Sequence, residues 1–215
     1  VGAATGLAWT SVGGTTLTIE VSLMHSKGEI LLTGKLGDVM KESAQAAISF
    51  VRSRADSLGI DPEFYRKKDI HIHFPEGAVP KDGPSAGVAI SVALISELTG
   101  IAVKRDIAMT GEITLRGRVL AIGGLREKTM AAYLAGVKTI LLPEENRKDE
   151  GEILPEVKKN VEIIYISHAD EAARLALCAE PFAYEKKSLP QEKNENQYIA
   201  VPESHGRGAA IEAAK

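Results

Sequence analysis

Several absences in the sequence narrow the class of protein. Cysteine occurs once in 215 residues, so no disulfide can form within the chain, as is typical of a reducing compartment. No apolar run reaches the roughly 20 residues of a membrane-spanning helix, and the N-terminus lacks the charged-then-apolar order of a signal peptide. The formal net charge is -3 and no basic block stands out, which gives no electrostatic reason to expect nucleic acid. These absences predict a cytoplasmic protein without membrane or nucleic-acid partners.

What the sequence does contain is enough apolar material for one substantial core. Hydrophobic residues make up 44% of the chain, which predicts a single domain over residues 1–180. After Pro181 the composition becomes charged and amide-rich, then small and polar, so we expect residues 181–215 to form a flexible or disordered tail. The chain begins at Val1 rather than Met, which suggests a piece of a larger protein.

The spacing of apolar residues predicts a chain of strands and helices. Alternation over 15–24 predicts a strand, with a turn at Gly13-Gly14 before it and residues 29–33 as its hairpin partner. Recurrence at three- and four-residue intervals predicts an amphipathic helix over 36–58 that ends before Gly59. Further strands are predicted at 69–75, 106–109, 138–142 and 161–166, a hairpin at 110–122, helices at 88–98, 125–135 and 169–179, and an exposed helix or loop at 144–152.

The stretch 80–87, between the strand 69–75 and the helix 88–98, is the most informative part of the chain. Pro84 suits the first turn of that helix, where its missing N–H costs nothing. Ser85 then lies at a helix N-terminus, beside unpaired backbone N–H groups and the positive end of the helix dipole. Such a place can stabilise a bound phosphate or a developing oxyanion.

A serine needs a base before it can act as a nucleophile, and the sequence offers no convincing Ser-His-Asp set. His71 and His73 share one strand face, but no further ligands complete a metal site, so a local hydrogen-bonding role is favoured. Lys128 is the best candidate base, provided burial lowers its pKa, although spacing alone favours a solvated surface charge. Thr110 could hold a neutral amine in place or be an ordinary residue at a strand end.

Three longer runs carry a resemblance to a known family. They are PKDGPSAG at 80–87, AMTGEITLRG at 108–117 and IGGLREK at 122–128. Together they resemble the proteolytic domain of the Lon family of ATP-dependent proteases, as do residues 6–10 and 36–43, so that the likeness covers roughly residues 1–180. The resemblance implies an α/β (α+β) fold on a mixed sheet, with a two-layer arrangement similar to one shared by a small-subunit ribosomal protein and the GHMP kinases.

The same resemblance implies roles for individual residues. The family's nucleophile falls on Ser85 and its lysine base on Lys128, 43 positions later. Thr110 corresponds to the threonine beside that lysine, and Asp82 to an acidic loop position with a supporting role. Backbone N–H groups of Ser85 and Ala86 are expected to form the oxyanion hole.

The implied activity is that of a serine endopeptidase acting through an acyl-enzyme on unfolded or damaged proteins. No phosphate-binding loop motif occurs here, so ATP and magnesium are expected to bind a separate ATPase domain, and no cofactor or metal is expected in this chain. A hexameric ring is implied for the full protein. We also hypothesise that the segment containing Phe74, Pro75, Glu76 and Gly77 pairs with an extended substrate strand.

Two other interpretations remain open at this point. A small-molecule kinase of the GHMP type also has a glycine- and serine-rich loop between a strand and a helix, but the consecutive serines typical of that loop are missing. A non-catalytic assembly domain could keep the fold and dock partners. It would gain nothing from having both Ser85 and Lys128.

Overall fold

The computed structural model describes residues 1–10, 13–75 and 81–182, and most of its strands form a single mixed sheet. The strands are β1 (Ala3–Thr10), β2 (Gly13–His25), β3 (Ile30–Thr33), β4 (Lys68–His73), β5 (Ile107–Met109), β6 (Glu112–Ile113), β7 (Val119–Leu120), β8 (Thr139–Pro143) and β9 (Glu162–Ile166). The helices are α1 (Asp38–Ser53), α2 (Ala55–Leu58), α3 (Phe64–Lys67), α4 (Gly87–Thr99), α5 (Leu125–Leu134), α6 (Pro155–Asn160) and α7 (Ala169–Ala176), with 3-10 segments at Pro84–Ala86 and Glu144–Glu152.

The seven-stranded sheet has the order β3-β4-β2-β1-β5-β8-β9. β2 runs antiparallel to both β1 and β4, whereas β1, β5, β8 and β9 are parallel neighbours. The predicted hairpin between β2 and β3 is therefore wrong, because β3 pairs in parallel with β4 and both edges of β2 are already occupied. The turn after β2 is held by the Asp69 carboxylate, which accepts hydrogen bonds from the Gly28 and Glu29 N–H groups and directs the chain to the far edge of β4.

Helices cover the two faces of the sheet unequally. On one face of the seven-stranded sheet, α1, α4 and α7 pack around the larger core. This core includes Ile19, Ile72 and Met109. On the other face α5 and α6 pack over β1, β5, β8 and β9 around a second core that includes Leu7 and Ile140. In β1, β5, β8 and β9 alternate residues enter opposite cores, as the two-residue period of a strand requires. The mixed-sheet α/β class is confirmed.

Most predicted helices are present, with changes at their ends. The predicted helix 36–58 is broken at Arg54 into α1 and α2, and Gly59 closes it in a left-handed conformation (φ 65°). The helix that follows Ser85 extends over α4 and ends at Gly100, which is also left-handed (φ 72°). The short α6, which begins at Pro155, was not predicted.

Across the described ranges, the helices are all too short or too polar to cross a bilayer. The predicted tail at 181–215 lies outside the described residues from 183 onwards.

Gly14 permits the close approach of α5 to β2. The predicted turn at Gly13-Gly14 is instead the first part of β2, where Gly14 pairs with Trp9 of β1. A Cβ atom on Gly14 would lie 2.0 Å from the Glu127 carbonyl oxygen and 3.1 Å from the Ala131 Cβ atom. Only a residue without a side chain therefore fits beneath this helix.

We expect Gly14→Ala to lower the free energy of unfolding by about 1–3 kcal/mol, because the helix backbone must move to admit the methyl group. Gly151→Ala is the control, since a Cβ atom there meets no atom within 4 Å. Urea denaturation of the two variants and the parent chain measures the effect. Equal denaturation midpoints for Gly14→Ala and the parent would show that α5 does not constrain this position.

Candidate active site

Ser85 lies in the 3-10 turn Pro84–Ala86 that leads directly into α4. The preceding loop forms a short parallel bridge with the chain before α1. The Lys81 N–H donates to the Lys35 carbonyl over 3.1 Å, and the Gly37 N–H donates to the Lys81 carbonyl over 2.8 Å. The loop then turns at Gly83, whose φ of 127° favours glycine. These constraints place the Ser85 hydroxyl at the N-terminal end of a buried helix.

Lys128 extends from α5 into the protein. Its helix begins after Gly124, a left-handed glycine (φ 69°), and turns a face containing Leu125, Lys128, Thr129 and Ala132 toward the sheet. Lys128 is only 1% exposed, so the interpretation as a solvated surface charge is wrong. Its Nζ atom lies 3.0 Å from Ser85 Oγ and 3.2 Å from Thr110 Oγ1.

Burial lowers the pKa of Lys128 from 10.5 to about 8. The cause is desolvation, which disfavours the charged ammonium. Among the described residues no carboxylate forms an ion pair with this amine, and its two hydrogen-bond partners are neutral hydroxyl groups. At pH 7 roughly one molecule in ten therefore carries a neutral amine beside Ser85.

Thr110 connects the serine to the lysine. It follows β5 directly and is fully buried, and its N–H donates to the Leu141 carbonyl of the neighbouring strand. Its hydroxyl accepts the hydrogen bond from Lys128 and donates to the Ser85 carbonyl over 3.3 Å. The Gly111 N–H donates to that same carbonyl over 2.8 Å. The end of β5 thus fixes both the amine and the backbone of Ser85.

Asp82 lies three residues before Ser85, and its carboxylate points to α1. One carboxylate oxygen accepts hydrogen bonds from the Met40 N–H over 3.0 Å and from the Gly83 N–H over 2.9 Å. The N-cap of α1 is Gly37, which has no side chain to cap the helix, so Asp82 supplies the cap from a distant loop. A Cβ atom on Gly37 would lie 2.3 Å from the Asp82 carboxyl carbon, so this docking also requires the glycine.

A cleft opens beside the Ser85 hydroxyl. One wall is the end of β1, where Trp9 is half-exposed and its indole lies against Gly124. The segment Ala121–Gly123 also lines the cleft, as do Leu17 and Met40. The pairing of β1 with β5 is restricted to Gly6 and Met109, so the β5-facing edge of β1 beyond Gly6 is not covered by β5. The cleft therefore combines a strand edge that β5 leaves uncovered with apolar side chains.

The segment expected to contact substrate lies elsewhere or outside the described residues. The Phe74 side chain is fully buried in the larger core, so it is not available to a substrate, and its N–H donates to the Thr33 carbonyl. Pro75 is half-buried and is not part of the cleft beside Ser85. Glu76 and Gly77 lie outside the described residues. A contact between substrate and the Phe74 side chain is not supported.

His71 and His73 have the local role that their strand position predicts. Both rings bond to one hydroxyl, since Thr33 Oγ1 lies 2.8 Å from His71 Nε2 and 2.7 Å from His73 Nδ1. Within the ranges that the structure describes, no group of three or more histidine, cysteine or carboxylate side chains could hold a metal ion.

Two buried polar residues next to the site were missed by sequence reasoning. Asn146 is 2% exposed and holds the cleft wall by both ends of its amide, accepting from the Ile122 N–H over 2.9 Å and donating to the Ile122 carbonyl over 3.0 Å. Ser43 donates to the Pro84 carbonyl over 3.0 Å. The sequence could have indicated Ser43, because it is a polar residue within the apolar stripe of α1. The Asn146 contact joins residues 24 positions apart and had none.

Comparison with known proteins identifies the family. The model of the Lon protease (S16) C-terminal proteolytic domain matches residues 1–179. The chain is 59% identical over 186 residues to the Lon protease of Brevibacillus choshinensis, covering 86% of this chain and 24% of that protein. It is 63% identical over 177 residues to the Lon protease of Bacillus thuringiensis (82% and 22%) and 60% identical over 180 residues to Lon protease 1 of Bacillus subtilis (84% and 23%).

The chain thus spans about a quarter of the length of these curated relatives. The match covers nearly all of the described residues, and the mixed-sheet fold is consistent with it. The chain belongs to the family of Lon protease C-terminal proteolytic domains.

Proposed function

We propose that this domain is a serine endopeptidase in which Ser85 is the nucleophile and Lys128 the general base. The observation that carries the proposal is a buried amine, with its pKa lowered to about 8, that lies 3.0 Å from a serine hydroxyl. A neutral amine at this distance can accept the hydroxyl proton. Neither a GHMP-type kinase nor an assembly domain needs a desolvated lysine against that serine.

The surrounding hydrogen bonds suit the proton transfer. Thr110 Oγ1 accepts one N–H of Lys128, which leaves the nitrogen lone pair to face Ser85 Oγ. Lys128 takes the proton as Ser85 Oγ attacks the scissile carbonyl, and the resulting ammonium protonates the leaving amine as the acyl-enzyme forms. Water then repeats the sequence on the ester.

The negative charge on the attacked carbonyl oxygen needs donors that are already in place. The backbone N–H groups of Ser85 and Ala86, at the N-terminus of the helix that continues into α4, are proposed as the oxyanion hole. Each such donor contributes on the order of 3 kcal/mol to transition-state stabilisation. Asp82 supports this arrangement indirectly, by docking the loop on α1.

The substrate is proposed to be an extended segment of an unfolded or damaged protein. The edge of β1 at Leu7–Trp9, which β5 leaves uncovered, offers backbone partners for an added strand, and Leu17, Met40 and Ile122 offer apolar contacts for its side chains. The greater length of the relatives supports the proposal that this chain is part of a larger protein. In that protein, a separate ATPase part is proposed to bind ATP and magnesium and to unfold the substrate. A homohexameric ring is the proposed assembly of that protein.

We expect Ser85→Ala and Lys128→Gln each to reduce cleavage of an unfolded protein by at least a thousandfold, because each removes one partner of the proton transfer. Ser22→Ala and Lys138→Gln are the controls, since both residues are exposed and lie outside the cleft. Circular dichroism checks that the variants fold. Full activity in either Ser85→Ala or Lys128→Gln would contradict the proposed pair.

The pH dependence of cleavage should follow the neutral fraction of Lys128. Because the amine must be deprotonated, kcat/KM should rise about tenfold per pH unit below the pKa of about 8 and level off above it. Hydrolysis of a fluorogenic peptide between pH 6 and 10 measures this profile. A flat profile from pH 6 to 8 would contradict lysine as the base.

Keeping this amine buried should reduce the stability of the folded chain. The unfolded chain binds the Lys128 proton more tightly than the folded chain does. The loss of stability is therefore complete below pH 8 and disappears as the pH rises toward 10.5. We expect Lys128→Met to raise the free energy of unfolding by about 1–3 kcal/mol at pH 7 and much less at pH 10. Urea denaturation at the two pH values tests this. An equal gain at both would show that charge burial is not the cause.

A further inference from the structure

One hydroxyl group of helix α1 bonds to the backbone of the nucleophile loop, which we define as residues 81–86. Ser43 is 8% exposed, and its Oγ donates to the Pro84 carbonyl over 3.0 Å. The Gly87 N–H donates to the same oxygen and closes the 3-10 turn. A Cβ atom on Gly87 would lie 3.2 Å from Ser43 Oγ, so α1 and the start of α4 approach closely here. The Pro84 carbonyl is therefore fixed from two sides.

Fixing this carbonyl also fixes the Ser85 N–H. The Pro84–Ser85 peptide is trans, so its C=O and N–H lie in one plane and point in opposite directions. Because the carbonyl is directed to Ser43 on α1, the Ser85 N–H is directed away from α1. This N–H belongs to the first turn of the 3-10 segment, where it has no partner within the turn. Among the described residues no acceptor bonds to this N–H, so it is available to an oxyanion in the cleft.

The next peptide group is held in the same manner from the other side. The Ser85 carbonyl accepts from the Gly111 N–H over 2.8 Å and from the Thr110 hydroxyl over 3.3 Å. The two peptide groups that flank the Ser85 side chain are thus anchored to different elements, one to α1 and one to the end of β5. Ser43 is the only side chain among the described residues that bonds to the first of them.

We infer that Ser43 is a positioning residue for the proposed nucleophile, and that it turns the Ser85 N–H toward the oxyanion by holding the Pro84 carbonyl. The inference rests on the proposed function. Its position supports a specific role, since the apolar stripe of α1 otherwise contains residues such as Met40, Ala44 and Ala47 that contribute by packing. A hydroxyl there packs less favourably, and its one hydrogen bond goes to the nucleophile loop.

The test is Ser43→Ala in this chain. We expect kcat to fall about tenfold or more with KM changed less than twofold, because the oxyanion donor acts in the transition state. Affinity for a peptide boronate, which forms a tetrahedral adduct with a serine hydroxyl, should fall by a similar factor. The pH midpoint of kcat/KM should stay unchanged, because the burial of Lys128 is not altered.

Three further variants separate positioning from packing. Ser43→Cys keeps the volume but is a weak donor, so it should resemble Ser43→Ala, whereas Ser43→Thr keeps the hydroxyl and should restore part of kcat. Ser53→Ala is the control on the same helix, since within the described ranges its hydroxyl bonds only to the Phe50 carbonyl of α1. Its kcat should match that of the parent.

Several results would overturn the inference. These are an unchanged kcat in Ser43→Ala, a loss of stability without a change in boronate affinity, or a shift of the pH midpoint, which would show action through Lys128. Ser85→Ala distinguishes this failure from failure of the proposed function. If Ser85→Ala is inactive while Ser43→Ala is fully active, only the role of Ser43 is rejected. If Ser85→Ala remains active, both proposals fail.

Discussion

The structure of the site depends on one desolvated amine. Lys128 can lie against Ser85 and Thr110 only because α5 packs directly on the sheet, which in turn requires a glycine at position 14. Removing the amine from water is unfavourable, and the apolar contacts of the second core around Leu125 and Ala132 offset that cost. Packing that is remote from the chemistry thereby determines the protonation state of the amine.

The sheet brings together two side chains that come from opposite faces. Ser85 precedes α4, which belongs to the larger core, whereas Lys128 belongs to α5 over the second core. They meet at the carboxyl end of β5, where Thr110 bonds to both. In α/β sheets with parallel strands, crevices at the carboxyl ends of the strands are the usual place for ligands. The hydrogen bond between serine and lysine therefore connects the two cores at that end of the sheet.

The loop that contains Ser85 is held by hydrogen bonds to several surrounding elements. Asp82 caps α1, Ser43 bonds to the Pro84 carbonyl, and the end of β5 bonds to the Ser85 carbonyl. Asn146 holds another part of the cleft lining through Ile122. Such contacts limit the reorganisation of the loop, and donors that are preorganised in this way can stabilise a developing charge. The loop conformation is thus a property of the surrounding elements and not of the loop alone.

The sequence by itself determined the local structure and the candidate pair. Periodicity located α1, α4, α5 and most strands, because each element shows its own spacing, and the family motifs marked Ser85 and Lys128. Sequence spacing could not decide whether Lys128 is buried, which strand pairs with β3, or where Phe74 points, since these depend on partners distant in the chain. Only the tertiary structure decided them. The 3.0 Å contact between residues 43 positions apart exists because two helices pack on opposite faces of one sheet.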